Sequence, residues 1–213
     1  MGIRCEIRSY GDIKKQMAAL KKAPDKVMQS LTADAKKRVP GWIATEVSKV
    51  YGVKKGEITG QKVGKVRVAG DNIKQVKVIY TGRVLTPTHF SMAPQAPKDG
   101  GYTLKATIVR GNRATLGKVK KLTKKQRKTL AKNFTRSGTK SSDHSPVMLM
   151  RANGGHYLPF QRRSTNRKDI KAIKTISLPQ MVSGRRTNEG IQTAINEGMG
   201  ERLEHHMKRF VGE

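Results

Sequence analysis

The chain has 213 residues, and its 45 lysines and arginines outnumber its 15 acidic residues to give a formal net charge of +30. This excess is greater than solubility requires, so it indicates an anionic partner, either a nucleic acid or an acidic protein, with a membrane surface as a weaker third option. Hydrophobic residues make up 35% and aromatic residues 5% of the chain, which allows a core but suggests that partner subunits complete the fold.

The only cysteine, Cys5, excludes a disulfide within the chain and is typical of a reducing compartment. The first residues lack the apolar run of a signal peptide, and no stretch approaches the roughly 18 apolar residues of a membrane-spanning helix. We therefore expect no membrane partner.

Residues 10–51 have the apolar spacing of one helical face, with steps of three, four or seven residues. The positions are Ile13, Met17, Leu20, Val27, Leu31, Ala35, Val39, Ile43 and Val47. Pro24 and Pro40 interrupt the pattern and predict two or three helices or one kinked rod, because proline lacks an N–H and clashes with the preceding turn. We expect Gly52 to end the segment as a C-cap glycine.

A short helical turn is predicted over residues 54–59, after which the apolar period changes to two. The alternating valines of residues 63–68 and 76–80 predict two strands joined by a hairpin turn at residues 70–72. Further strands are predicted over residues 102–109, 147–150 and 170–176. Three prolines at positions 87, 94 and 97 indicate a long loop before the third strand.

The strongest charge feature lies between residues 105 and 140, which contain thirteen basic residues and no acid. The densest cluster comprises Lys118, Lys120, Lys121, Lys124, Lys125, Arg127 and Lys128. Residues 118–134 are compatible with a helix that would bind phosphates without distinguishing sequence. A flexible basic loop that meets an acidic protein is an equal alternative. No aromatic residues are interspersed, so stacking on single strands is poorly supported.

Residues 156–163 combine apolar and basic character and are compatible with a strand. Such a strand places Tyr157 and Pro159 on one face and Leu158 and Phe160 on the other. It is either an edge that contacts another subunit or an ordinary core strand.

Residues 187–211 predict a final amphipathic helix with a buried face and two glycines, Gly198 and Gly200, that weaken its middle. The buried face would comprise Ile191, Ile195, Leu203, Met207 and Phe210. The order of elements predicts the α+β class in a single domain, residues 1–213, with N-terminal kinked helices packed on an antiparallel sheet over residues 62–182. A basic insertion at about residues 112–145 interrupts that sheet.

No sequence pattern of a hydrolase nucleophile, a phosphate-binding loop or a zinc site is present. Glu201 and Glu204 are close in sequence, but a surface pair that supports Lys208 explains them better than a catalytic site. We therefore expect no enzyme activity, no metal and no cofactor. A nuclease remains a remote alternative.

Four stretches together resemble one known family. The first is a helical run over residues 18–55 that ends in Tyr51-Gly52-Val53-Lys54-Lys55. The second is residues 78–85 followed by Phe90, and the third is residues 147–151. The fourth is Ile176-Ser177-Leu178-Pro179-Gln180-Met181-Val182, which precedes a helix with Arg202-Leu203-Glu204-His205-His206. The chain resembles the minor tail protein Z family of phages, in which a Pro-Gln-Met element precedes a charged terminal helix.

The resemblance implies a virion component of a phage or prophage tail, made in the host bacterial cytoplasm. It would act in tail completion or head–tail joining, as a homo-oligomeric ring that binds tail tube, terminator or other neck and tail proteins and contacts the phage DNA end. The candidate subunit-interface residues are Tyr157, Leu158, Phe160, Leu178, Pro179, Gln180 and Met181. A sequence-nonspecific nucleic-acid-binding protein is the alternative function.

Overall fold

The structure, a computed structural model, describes residues 24–119, 147–152, 155–162 and 169–211. Residue contacts divide the chain into two compact units, where the sequence predicted one domain. Among the described residues, the first unit comprises 24–50, 54–83 and 176–211, and the second comprises 51–53 together with residues from 84 to 175. The predicted helical residues 10–23 lie outside the described part.

Within its described residues, the first unit contains four helices and one β-hairpin, and the α+β prediction is confirmed. Its helices are α1 (Pro24–Val50), α2 (Lys55–Thr59), α3 (Leu178–Ser183) and α4 (Arg185–Val211). The hairpin consists of β1 (Lys65–Ala69) and β2 (Lys77–Thr81). No helix in the described ranges is both long and apolar enough to cross a bilayer.

Helix α1 is continuous from Pro24 to Val50, so Pro40 does not divide it. The prediction of two or three helices or one kinked rod also covers residues 10–23, which lie outside the described part, so it stays a prediction there. Pro24 occupies the first position, where the missing N–H would have no helical partner in any case. Pro40 lies in the interior without dividing the helix. The predicted apolar face is buried on both sides of Pro40, from Val27 to Val47, and this packing offsets the hydrogen bond that proline removes.

Strands β1 and β2 pair antiparallel, with Lys65 opposite Thr81 and Ala69 opposite Lys77. The predicted hairpin is confirmed, but its connection extends from residue 70 to residue 76 and is longer than the predicted turn. Gly70 begins this connection with φ +112°, a conformation that only glycine adopts readily.

Helices α1 and α4 pack together in an antiparallel arrangement. Glu46 of α1 lies beside Gly190 of α4, while Asp34, nearer the start of α1, meets Arg202 and His206 near the end of α4. Ile191, Ile195, Met199 and Leu203 form the buried face of α4. This buried helix pair provides most of the core of the first unit.

The described residues of the second unit form two small antiparallel sheets. One pairs β3 (Tyr102–Val109) with β4 (Asn112–Val119), and the other has the order β5 (Val147–Arg151), β6 (Tyr157–Arg162), β7 (Ile170–Ala172). A 3-10 turn, Pro87–His89, lies in the predicted proline loop. Met92, Leu104, Ala106 and Val147 form the buried cluster between these elements.

Two boundaries in the second unit differ from the prediction. The predicted insertion at residues 112–145 begins as strand β4, because its apolar positions complete the cluster around Leu104. Gly52 is not a C-cap: its N–H donates to the Ile108 carbonyl, 3.0 Å away. A Cβ at Gly52 would lie 1.9 Å from the Thr107 carbonyl oxygen, so close backbone approach explains the glycine.

Candidate docking surface

The outer side of the β1–β2 hairpin forms an exposed cationic surface, which we call the hairpin face. Side chains alternate across a strand, so the register places six residues on this side: Lys65, Arg67, Ala69, Lys77, Ile79 and Thr81. The opposite side carries the buried Val78 and Tyr80, which anchor the hairpin in the core of the first unit. The buried side thereby holds the basic side outward.

The hairpin face has positive charge without compensation from acidic neighbours. Lys65, Arg67 and Lys77 are all exposed, and none of them forms an ion pair within the described part of the chain. The nearest acid in sequence, Asp71, lies in the hairpin connection and meets Lys36 at 3.8 Å. The strand alternation was predicted from the sequence, but these three residues were not, because the cluster that begins at Lys118 has a higher density of basic residues.

Of the predicted basic cluster, only Lys118 falls among the described residues. It is exposed near the end of β4, opposite Thr103 of β3. Lys118 therefore lies on a strand, where the sequence was compatible with a helix. The other predicted contacts lie outside the described residues: Lys120, Lys121, Lys124, Lys125, Arg127 and Lys128.

The predicted interface strand is β6, and it pairs with β5 on one side and with β7 on the other. β7 pairs only with residues 160–162, so β6 is a central strand there, while Tyr157 and Leu158 pair with β5 alone. The choice between an interface edge and a core strand stays a prediction. Tyr157, Leu158 and Phe160 are half-buried, while Pro159 is buried. Contact of these half-buried side chains with another subunit stays a prediction.

The Pro-Gln-Met element forms the first turn of α3, and Ser177 caps it. The Ser177 hydroxyl accepts the Gln180 N–H at 3.4 Å, and the Gln180 side chain accepts the Ser177 N–H at 2.9 Å. This reciprocal pair is a capping box. Leu178 and Met181 are fully buried, so they are not available as interface residues. Pro179 is half-buried and Gln180 is exposed.

A charged cluster that the sequence did not reveal joins α1 to α4. The Asp34 carboxylate accepts hydrogen bonds from Arg38, at 3.3 Å, and from both Arg202 and His206, the latter at 2.9 Å. His206 is buried, and its Nδ1 atom has no hydrogen-bond partner among the described residues. The Asp34 and His206 positions are 172 residues apart in sequence, so no local pattern connects them.

The Asp34 carboxylate is strongly held in its ionised form. Burial alone would raise its pKa, but the hydrogen bonds from Arg202, His206 and Arg38 outweigh burial and lower the pKa of Asp34 from 3.8 to about 2. The nearby Arg202 cation also lowers the pKa of the exposed His205. The cluster fits a structural connection between helices, because its charges are already paired.

We expect the Asp34 cluster to lose its stabilising effect in acid. Because the folded-state pKa lies below the unfolded value, the contribution is complete above about pH 4 and is lost as the pH falls through about 2. The loss amounts to about 1–2 kcal/mol after allowance for solvent screening. Urea unfolding from pH 6 to pH 2, followed by the single tryptophan, Trp42, should show this loss in the native chain but not in Asp34→Ala. Parallel pH profiles of the two chains would contradict the assignment.

The remaining candidate sites, a pair of glutamates and a pocket, give little support for catalysis or metal binding. Glu201 and Glu204 are both exposed on α4, and the described residues contain no group of three or more histidine, cysteine or acidic residues able to hold a metal. An open pocket of about 300 Å³ lies in the second unit and includes Met92, His156 and Tyr157. None of the described residues that line this pocket is acidic.

The described residues thus form an α+β protein with an exposed cationic face on its β1–β2 hairpin. Comparison of the chain with protein-family models, with curated proteins and with solved structures finds no match.

Proposed function

We propose that the chain is a structural, non-enzymatic component of a phage or prophage tail that acts in tail completion or head–tail joining. In this role it binds tail tube, terminator or other neck proteins in the virion and forms a homo-oligomeric ring. The observation that carries the proposal is the arrangement of the stretches that resemble the minor tail protein Z family. Residues 24–50 of the helical run, residues 78–83 of the β2 region and the Pro-Gln-Met element with its following helix belong to the first unit. Residues 51–53, residues 84–85 with Phe90, and residues 147–151 of the same stretches belong to the second unit.

The packing of these stretches supports a common role for them. Leu178, next to the Pro-Gln-Met element, lies against Gly64, and Pro179 lies against Gly82, which directly follows β2. The capping box then sets the start of α3, which leads into α4 and its contact with α1. Parts of three of the four resembling stretches thus pack together in the first unit, as expected if the resemblance reflects a shared assembly unit.

Coexpression of the full chain with tail tube and terminator proteins tests the proposal. We expect a complex that co-purifies at about physiological salt and weakens at about 1 M salt, because screening reduces contacts between exposed charges. Size-exclusion chromatography with light scattering would measure its composition. A monomer that binds no tail protein would contradict the proposal.

A second candidate function, sequence-nonspecific nucleic-acid binding, is favoured by the hairpin face and the net charge of +30. Counterion release from a polyanion would relieve the self-repulsion of so basic a chain. The two functions are compatible, since a tail-completion protein meets both neighbouring subunits and the DNA end.

A further inference from the structure

We infer that the hairpin face binds the phosphate backbone of double-stranded nucleic acid through Lys65, Arg67 and Lys77. This inference deepens the second candidate function and rests on it, and it does not depend on the tail assignment. It assigns the contact to the β1–β2 hairpin in addition to the basic cluster that begins at Lys118. The absence of ion pairs at these three residues within the described chain leaves their charges available.

The spacing of the three cations suits a repeating polyanion. Lys65 and Arg67 are two residues apart on the same side of β1, which separates their Cα atoms by about 7 Å. Lys77 lies on the neighbouring strand β2, two residues before Ile79, and Ile79 is paired with Arg67. The charges therefore form a diagonal group across a two-stranded ribbon. A ribbon of this width can enter the major groove of a duplex or follow its backbone.

The uncharged residues of the hairpin face distinguish duplex nucleic acid from an acidic protein. Protein interfaces are anchored by buried aromatic and large apolar side chains. The hairpin face offers only Ala69, Thr81 and the half-buried Ile79 beside its cations. It therefore has charge without an apolar anchor, which is the composition expected for phosphate contacts.

The same composition argues against single strands and against recognition of sequence. Stacking platforms for unpaired bases need exposed aromatic rings, and the one aromatic residue of the hairpin strands, Tyr80, is buried on the opposite side. Phosphate contacts fix position on the duplex but carry no direct sequence information. Binding should thus be strongly salt-dependent and tolerant of sequence.

The test is a salt titration of full-length chain with a fluorescent duplex of about 20 base pairs, measured by anisotropy between about 50 and 200 mM salt. The triple variant Lys65→Gln, Arg67→Gln, Lys77→Gln should weaken binding at about 100 mM salt by roughly tenfold or more. Each lost phosphate contact should reduce the slope of log K against log salt by about 0.9, so the total reduction should be about 2–3.

A charge-matched control removes three exposed cations from the helices of the first unit: Lys26→Gln, Arg186→Gln, Lys208→Gln. This control should reduce the slope by less than about 1. All six sites are exposed, so both variants should retain native Trp42 fluorescence and an unchanged urea midpoint.

Three outcomes would overturn the inference, and they have different meanings. If the native chain fails to bind duplex at about 50 mM salt, the nucleic-acid candidate falls together with the inference. If the native chain binds and the hairpin variant behaves like the control, only the hairpin face is excluded. If the hairpin variant binds duplex normally but no longer co-purifies with an acidic tail protein, the face serves a protein partner. None of the duplex measurements decides the tail proposal, which has its own co-purification test.

Discussion

Replacing Asp34 with alanine is expected to lower the free energy of unfolding by about 3 kcal/mol at neutral pH. The carboxylate is the common acceptor for Arg202 and His206, and both of these side chains are largely withdrawn from solvent. Without it, the Arg202 guanidinium loses its counter-charge and the buried imidazole of His206 loses its acceptor. Leaving a charge unpaired at a packed interface costs more than the pair contributes by itself. Urea unfolding followed by Trp42 fluorescence measures the change.

Glu197→Ala provides the control for Asp34→Ala, since it removes one acid of the same charge from an exposed position on α4. We expect this control to change stability by less than about 0.5 kcal/mol. A double-mutant cycle of Asp34→Ala with Arg202→Ala should give a coupling energy of at least about 1 kcal/mol. Equal losses in Asp34→Ala and Glu197→Ala would show that the cluster does not stabilise the helix pair.

Gly198→Ala should destabilise the first unit by about 2 kcal/mol, although alanine favours an isolated helix by about 1 kcal/mol over glycine. A Cβ at this position would lie 2.6 Å from the Trp42 ring of α1. The rigid indole has to move, which opens the α1–α4 contact. A shift in the emission maximum of Trp42 in the folded variant would report this movement directly.

The neighbouring Gly200 makes a matched comparison, because a Cβ there would meet no atom within 4 Å. Gly200→Ala should raise the free energy of unfolding by about 0.5–1 kcal/mol and leave the Trp42 emission unchanged. The two substitutions are chemically identical and two residues apart on α4. Stabilisation by both would mean that Trp42 does not pack against Gly198.

The apolar periodicity of the sequence was sufficient to predict most of the described helices and strands. The apolar face of α1, the alternating valines of β1 and β2, and the buried positions Ile191, Ile195 and Leu203 of α4 were all predicted, because each pattern repeats within a short window. The predicted 102–109 strand coincides with β3, Tyr102–Val109. The 170–176 strand was too long, since pairing with β6 ends at Ala172.

Other features could be recognised only from the three-dimensional structure. Gly198 weakens a helix in sequence terms, yet the fold places it against Trp42. Leu178 directly precedes the Pro-Gln-Met element and Met181 is its last residue. Both were predicted to be at an interface, yet both are buried within the first unit.

Composition and periodicity by themselves determined the α+β class and led us to expect an anionic partner, because charge sums and short repeats are local properties of the chain. Tertiary structure decided which charges are used internally and which remain exposed. Asp34, Arg202 and His206 are paired because α1 and α4 are antiparallel, whereas Lys65 and Arg67 stay exposed because their strand buries its other side. Contacts between residues far apart in sequence therefore determine which charged side chains are paired and which are exposed.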